Sequence, residues 1–210
     1  MEIDVIVTTW GHPSWLGKAQ RTAVPSAFEQ ASTHLIYLED AASAGDARNR
    51  AVETVDPQEW ICFLDADDQL EPGYIDAMRA AGLWRTHLGA PALRLPGKEP
   101  ETYPDRDIVT GMNPCPIGTL IHRTMFEQAG QFWGESAWED WSLFRRAVLH
   151  GAAIRFVPDA VYNATASTRS GRNSTVRNPK KLRREIIEAH NLWIMETVDE
   201  NIVLFKKRSE

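Results

Sequence analysis

The stretch Trp60-Ile61-Cys62-Phe63-Leu64-Asp65-Ala66-Asp67-Asp68-Gln69-Leu70-Glu71-Pro72-Gly73-Tyr74 decides the fold. It opens as an apolar run of strand length and ends in three carboxylates, after which Pro72-Gly73 turns the chain into a helical segment. A strand that is apolar throughout belongs inside a parallel sheet covered by helices on both faces. The carboxyl end of such a strand opens into the crevice where α/β sheets bind ligands. Three carboxylates crowded there repel one another unless something positive sits among them. A divalent cation with oxygen ligands, Mg²⁺ or Mn²⁺, meets that need and would also meet the phosphates of a nucleotide. Capping of the following helix by Asp67 or Asp68 accounts for only one of the three acids.

Working outward, Asp4 to Trp10 reads as a first strand, broken by Gly11, and Pro13 can open a helix reaching about Gln30 with a kink at Pro25. His34 to Glu39 reads as a second strand. Ala41 to Gly45 is a loop of small residues, and Asp46 to Val55 has a helical pattern. Strands alternating with helices imply a mostly parallel sheet with right-handed crossovers. Beyond Tyr74 the pattern predicts a helix to about Thr86, a short strand over Ala92 to Leu95, a strand over Ile117 to His122 and a short helix over Thr124 to Ala129. Pro96 to Pro116 is too long for an idle connection and reads as a functional lid or a mobile loop. Glu135 to Gly151 is helical, with Glu139 and Asp140 near its front, where carboxylates are favoured. Ala153 to Val157 reads as the last strand. Residues 163–178 are polar, with Arg169, Arg172 and Arg177, and Pro179 to about Val198 makes an amphipathic helix. The expected layout is one α/β domain over residues 1–178, with a basic amphipathic helix and tail, 179–210, packed on it.

A chain of 210 residues with 43% hydrophobic and 25% charged content is long enough for one substantial core. Nothing in it has the length of an apolar membrane span, and the start lacks the pattern of a secretory signal. Two cysteines, Cys62 and Cys115, make neither a disulfide framework nor a metal cluster; these features point to a reducing, cytoplasmic setting. The net charge of −6 hides an asymmetry: residues 1–144 carry 10 Lys/Arg against 22 Asp/Glu, and residues 145–210 carry 13 against 7. An acidic front and a basic rear suit a metal site early in the chain and an anionic partner at the C-terminal region.

Four motifs, in order, resemble those of the family 2 glycosyltransferases, inverting enzymes of the Rossmann-like GT-A fold. They are the opening strand Val5 to Thr9 with its polar loop, Gly45-Asp46-Ala47-Arg48-Asn49-Arg50-Ala51, the DxD-like Leu64-Asp65-Ala66-Asp67-Asp68, and Ala129-Gly130-Gln131-Phe132 followed by Trp138-Glu139-Asp140-Trp141. The resemblance covers most of the chain. It implies that Thr9 and Glu39, with Asp40 as a second candidate, contact the nucleoside. Arg48 or Asn49 would hold the base or diphosphate, Asp65 the ribose, the sugar or the metal, and Asp67 the metal. Asp140 would be the general base that takes the acceptor's hydroxyl proton, supported by Glu139. Many relatives have a metal-binding His after the last strand; Thr165 falls at that position, and Arg169 or Arg172 could supply a positive contact to the diphosphate instead. Trp133 and Trp138 are candidates for an acceptor platform, whereas Trp141 reads as core. His12 reads as a loop or capping residue.

The function implied is inverting transfer of a sugar from a nucleotide-sugar donor, UDP-sugar being commonest in the family, with Mn²⁺ or Mg²⁺ as cofactor. The acceptor hydroxyl stays open among a glycan, a lipid-linked sugar, a protein, a small molecule and a hydroxymethylated base in DNA. Two rivals are a sugar-1-phosphate nucleotidyltransferase and a non-catalytic nucleotide-sugar-binding module. The first needs a Gly-rich, Arg-containing loop that Thr8-Thr9-Trp10-Gly11-His12-Pro13 does not resemble.

Overall fold

The structure is a computed structural model that describes residues 1–134, 137–165 and 178–197. The chain divides into two compact units, Met1–Thr175 and Val176–Glu210. The first unit is a mixed α/β assembly. Its seven strands are β1 (Ile3–Trp10), β2 (Ser32–Leu38), β3 (Trp60–Asp65), β4 (Gln69–Leu70), β5 (His87–Arg94), β6 (Leu120–His122) and β7 (Ala153–Asn163). They lie in the order β2-β1-β3-β6-β5-β7-β4. Its helices are α1 (Ser14–Arg21), α2 (Ala23–Phe28), α3 (Ala44–Val55), α4 (Tyr74–Ala80), α5 (Arg123–Gln128) and α6 (Glu139–Leu149).

β2, β1 and β3 run parallel, as the alternation of strands and helices requires. Trp60 to Leu64 are all buried, the condition of a strand covered on both faces. The register sets Thr8 beside Asp65, so the first and third strands end together. β6 runs antiparallel to both β3 and β5, and β5 pairs with β7 in parallel.

Several elements differ from their sequence expectations: β4 is not among the expected strands, β6 is shorter than Ile117 to His122, and four others differ for a local reason. The first helix breaks at Thr22 and not at Pro25. Pro25 sits in the first turn of α2, where no backbone donor is needed, so the break falls upstream of the proline. α4 stops at Ala80 because Gly82, at φ +62°, takes the left-handed turn that ends helices. β5 and β7 are longer than expected. The register between them jumps from Pro91–Val157 to Ala92–Val161, leaving Pro158 to Ala160 as a bulge, and prolines in a strand are tolerated at such places. The C-terminal unit contains α7 (Pro179–Thr197), close to the predicted span. Among the described residues no helix is long and apolar enough to cross a membrane.

Candidate active site

The acidic turn after β3 separates its three carboxylates by giving each a partner from a different element. Asp65 Oδ1 accepts from Arg48 Nη2 of α3 at 2.6 Å. Asp67 Oδ2 accepts from Lys18 Nζ of α1 at 3.3 Å. Asp68 accepts from the Tyr162 hydroxyl at 2.9 Å and from the Thr165 backbone N–H at 2.8 Å, both at the end of β7. The Thr165 hydroxyl donates to the Asp67 carbonyl. Thr165 therefore stands against the acidic turn and ties it down. Burial, then the neighbouring Asp65 charge, pushes the Asp68 carboxyl up to about 7.

Arg48 is placed by the start of α3. Ser43 caps the helix by accepting from the Asp46 N–H at 3.1 Å, and Asp46 reaches back to the Ala42 N–H at 2.9 Å, a variant of the capping box. One turn on, Arg48 is 3% exposed, with Nη2 on Asp65 and Nη1 on Glu139 Oε1 at 2.9 Å. Its guanidinium also lies 5.2 Å from the centroid of the Phe132 ring. Burial alone would disfavour the charge, but the two carboxylates outweigh it, and the guanidinium is held more firmly protonated than usual. Asn49 is committed to structure: its amide donates to the Phe132 carbonyl at 2.8 Å and accepts from the Phe132 N–H at 3.0 Å.

α6 presents the second pair of acids. Trp138 precedes it in the left-handed region, at φ +60°, a conformation that costs a bulky residue of order 1 kcal/mol and therefore needs support from its surroundings. The helix starts at once with Glu139 and Asp140. Trp141 is core, as expected, at 2% exposure. Asp140 is half-buried, and its carboxyl is pushed up to about 7, first by burial and then by Glu139 alongside.

Two clefts meet at these groups. One, of about 580 Å³, lies between the end of β1, the start of α1 and the acidic turn; Thr9, Gly11, His12, Trp15 and Asp67 line it. Thr9 Oγ1 is buried there without a hydrogen-bond partner. The other, of about 380 Å³, is lined by Tyr103, Arg106, Asn113, Trp138, Glu139 and Asp140. Arg48, Asp65, Asp68 and Ala164 line both, so the acidic turn and its arginine form a common wall.

Of the expected site residues, Thr9, Arg48, Asp65 and Asp67 gather on the first cleft, and Trp138, Glu139 and Asp140 on the second. Glu39 and Asp40 are exposed after β2 and line neither; Asp40 pairs with Arg50 at 3.0 Å. The Trp133 ring lies 4.2 Å from the Arg146 guanidinium. Arg169 and Arg172 lie outside the described residues. His12 accepts from the Ser14 N–H at 3.2 Å, a capping contact. Sequence reasoning missed Lys18, Tyr162 and Asn113. The long loop reads as a functional lid or a mobile loop, but no local pattern singles out Asn113 within it.

Among the described residues, no three His, Cys, Asp or Glu side chains converge as a metal-binding group. Each of the three acids already has a partner, Arg48 for Asp65, Lys18 for Asp67, and Tyr162 and Thr165 for Asp68. The arrangement fits a hydrated Mg²⁺ or Mn²⁺ bound through Asp67 and the phosphates of a ligand, the mode of binding in which Mg²⁺ keeps several waters.

The sheet order, the acidic turn at the end of β3 and the paired clefts define the architecture. The fold is that of the GT-A glycosyltransferases. S. aureus TarS 1–349 in complex with UDP-GlcNAc superposes with a TM-score of 0.65 at 16% identity, over 97% of this chain and 68% of that one. GalNAc-T7 with UDP, GalNAc and Mn²⁺ gives 0.62 at 12% identity, over 94% of this chain and 56% of that one. Against the longer S. aureus TarS the chain spans 41% of the partner's length. No protein-family profile and no curated protein matches the sequence. The likeness to the GT-A fold thus rests on three-dimensional shape.

Proposed function

We propose that this chain is an inverting glycosyltransferase that moves a sugar from a nucleotide-sugar donor, of the UDP class, to an acceptor hydroxyl. The observation that carries the reading is the meeting of the two clefts at one acidic wall, with a carboxylate of raised pKa in the smaller one. The larger cleft has room for a nucleoside diphosphate, with the buried Thr9 hydroxyl and the backbone at Gly11 beside it. The smaller cleft takes the acceptor, and Trp138 offers a face for a sugar ring. The UDP-containing complexes of the two structural neighbours support a donor of this class.

In the proposed step the acceptor oxygen attacks the anomeric carbon as the bond from that carbon to the diphosphate oxygen breaks. The hydroxyl proton passes to Asp140. Attack and departure on opposite faces invert the centre. Arg48 bridges Asp65 and Glu139, holds both in place and offsets part of their charge. A divalent cation on Asp67, when bound, would neutralise the charge gathering on the leaving diphosphate.

The test is a thermal-shift screen of nucleotides and nucleotide sugars with and without Mn²⁺, since a ligand bound by the native state raises the melting temperature by mass action. One UDP-sugar should shift the protein well beyond the other nucleotides; no shift with any of them would remove the reading. Asp67→Ala should weaken UDP binding in Mn²⁺ roughly tenfold, about 1.4 kcal/mol. An unchanged titration would take Asp67 out of the metal site.

A further inference from the structure

The connection between β5 and β6, residues 95–119, is built around one side chain. Asn113 Nδ2 donates to Asp140 Oδ2 at 3.1 Å. Its Oδ1 accepts from the Cys115 N–H at 3.0 Å, and its carbonyl accepts from Arg106 Nη1 at 3.0 Å. α6 grips the same loop at two carbonyls: Trp141 Nε1 donates to that of Ile108 at 2.9 Å, and Arg145 Nε to that of Val109 at 3.0 Å. The helix anchors the loop, and the loop returns one amide N–H to the carboxylate at the front of the helix.

The charges about Asp140 show what that amide does. Glu139 on its own helix and Asp65 at the end of β3 repel it, and Arg48 of α3 attracts it while shared between those two acids. The Cys115 thiol, on the loop, is kept neutral by burial. Asn113 adds a donor without adding a charge. It engages Oδ2, and the Trp141 backbone N–H at the start of the helix also hydrogen-bonds the carboxylate and favours its ionised form.

We infer that Asn113 is a positioning residue for the general base, fixing the Asp140 carboxylate through Oδ2 so that it faces the acceptor hydroxyl. This rests on the role proposed for Asp140. The amide favours the ionised carboxylate, so its removal should raise the pH at which Asp140 ionises.

The discriminating variant is Asn113→Asp, which keeps an oxygen for the Cys115 N–H but cannot donate when ionised. Two readouts are taken on the full chain: kcat/KM against pH, from UDP release with the donor that stabilises the protein most, and the ¹³C-carboxyl NMR titration of Asp140, assigned by its loss in Asp140→Asn. The expected result is an upward move of both midpoints by about one pH unit, a tenfold loss of kcat/KM on the acid side, near-recovery at pH 9 and unchanged UDP affinity. Asn113→Ala should move the midpoints the same way. Unmoved midpoints, or a loss equal at every pH, would mean that Asn113 only shapes the loop and would overturn the inference. Transfer surviving in Asp140→Asn would remove the base assignment and this inference together. An inactive Asp140→Asn beside an Asn113→Asp with wild-type midpoints would remove the inference alone.

Discussion

Asp140 illustrates the conflict between stability and chemistry within one side chain. Its carboxyl sits up at about 7 because burial and Glu139 both disfavour its ionised form. In the base role proposed for it Asp140 must be ionised to act, so kcat/KM should rise with pH through a midpoint near 7 and level off above it. The same shift makes ionisation costly to the fold. For a carboxyl raised above its unfolded value of about 3.9, the cost is fully present above the folded midpoint and fades as pH falls from about 7 toward 4. Asp140→Asn removes that charge. We expect it to abolish transfer, leave UDP binding intact and, at pH 8, raise the melting temperature by about 3 °C, with the gain closing as pH falls. Lost UDP binding would show that Asp140 serves the donor and not the acceptor. At this scale the sequence displayed the acids but not their partners. Asp65, Asp67 and Asp68 stand in one run, whereas Arg48, Lys18, Tyr162 and Thr165, which separate their charges, come from positions 17 to 97 residues away.

Among the elements, α3 and the segment after α5 act as one unit, and Gly45 is where they touch. A Cβ at Gly45 would lie 2.7 Å from the Trp133 carbonyl oxygen and 3.0 Å from Phe132 Cβ. The nearest obstacle is backbone, already fixed by the two Asn49 hydrogen bonds to Phe132, so it cannot swing aside. Gly45→Ala should therefore cost about 2 kcal/mol in urea unfolding and should also lower kcat, because Arg48 lies one turn along the displaced helix. A cost below about 0.5 kcal/mol would show the segment to be pliant. This contact joins the Gly45 and Phe132 segments, although the chain alone shows no link between them. Elements with an unbroken pattern were readable: β1 and β3 by their apolar runs, α3 by its helical pattern and α6 by its periodicity and terminal Gly151. β5 and the far half of β7 were not, because Pro91 and Pro158 argue locally against a strand and only pairing across the bulge supports one.

At the scale of the whole molecule, charge decides which acceptors the protein can meet. The 13 Lys/Arg of residues 145–210 suggest a basic rear, yet Arg145 and Arg146 are buried in α6, where Arg145 donates to the Val109 carbonyl and Arg146 to those of Ala129 and Gln131. Their charge serves the fold, not an outside partner. The cleft proposed for the acceptor has Asp65, Asp68, Glu139 and Asp140 in its lining, against Arg106 and an Arg48 that is internally paired. Double-stranded DNA carries a phosphate charge about every 1.7 Å along its axis, and a protein that neutralises six to ten of them loses roughly 10³ to 10⁵ in affinity between 50 and 200 mM salt. An acidic cleft in a chain of net charge −6 repels such a polyanion rather than steering it in. We therefore expect acceptor affinity to change by less than about twofold across that range, and DNA bearing hydroxymethylated bases to accept no sugar. The check is KM for the acceptor measured at several salt concentrations, alongside a duplex offered as acceptor. A steep salt slope together with sugar on the duplex would show that basic groups beyond the cleft overcome its acidic floor, and the modified DNA base would become the acceptor.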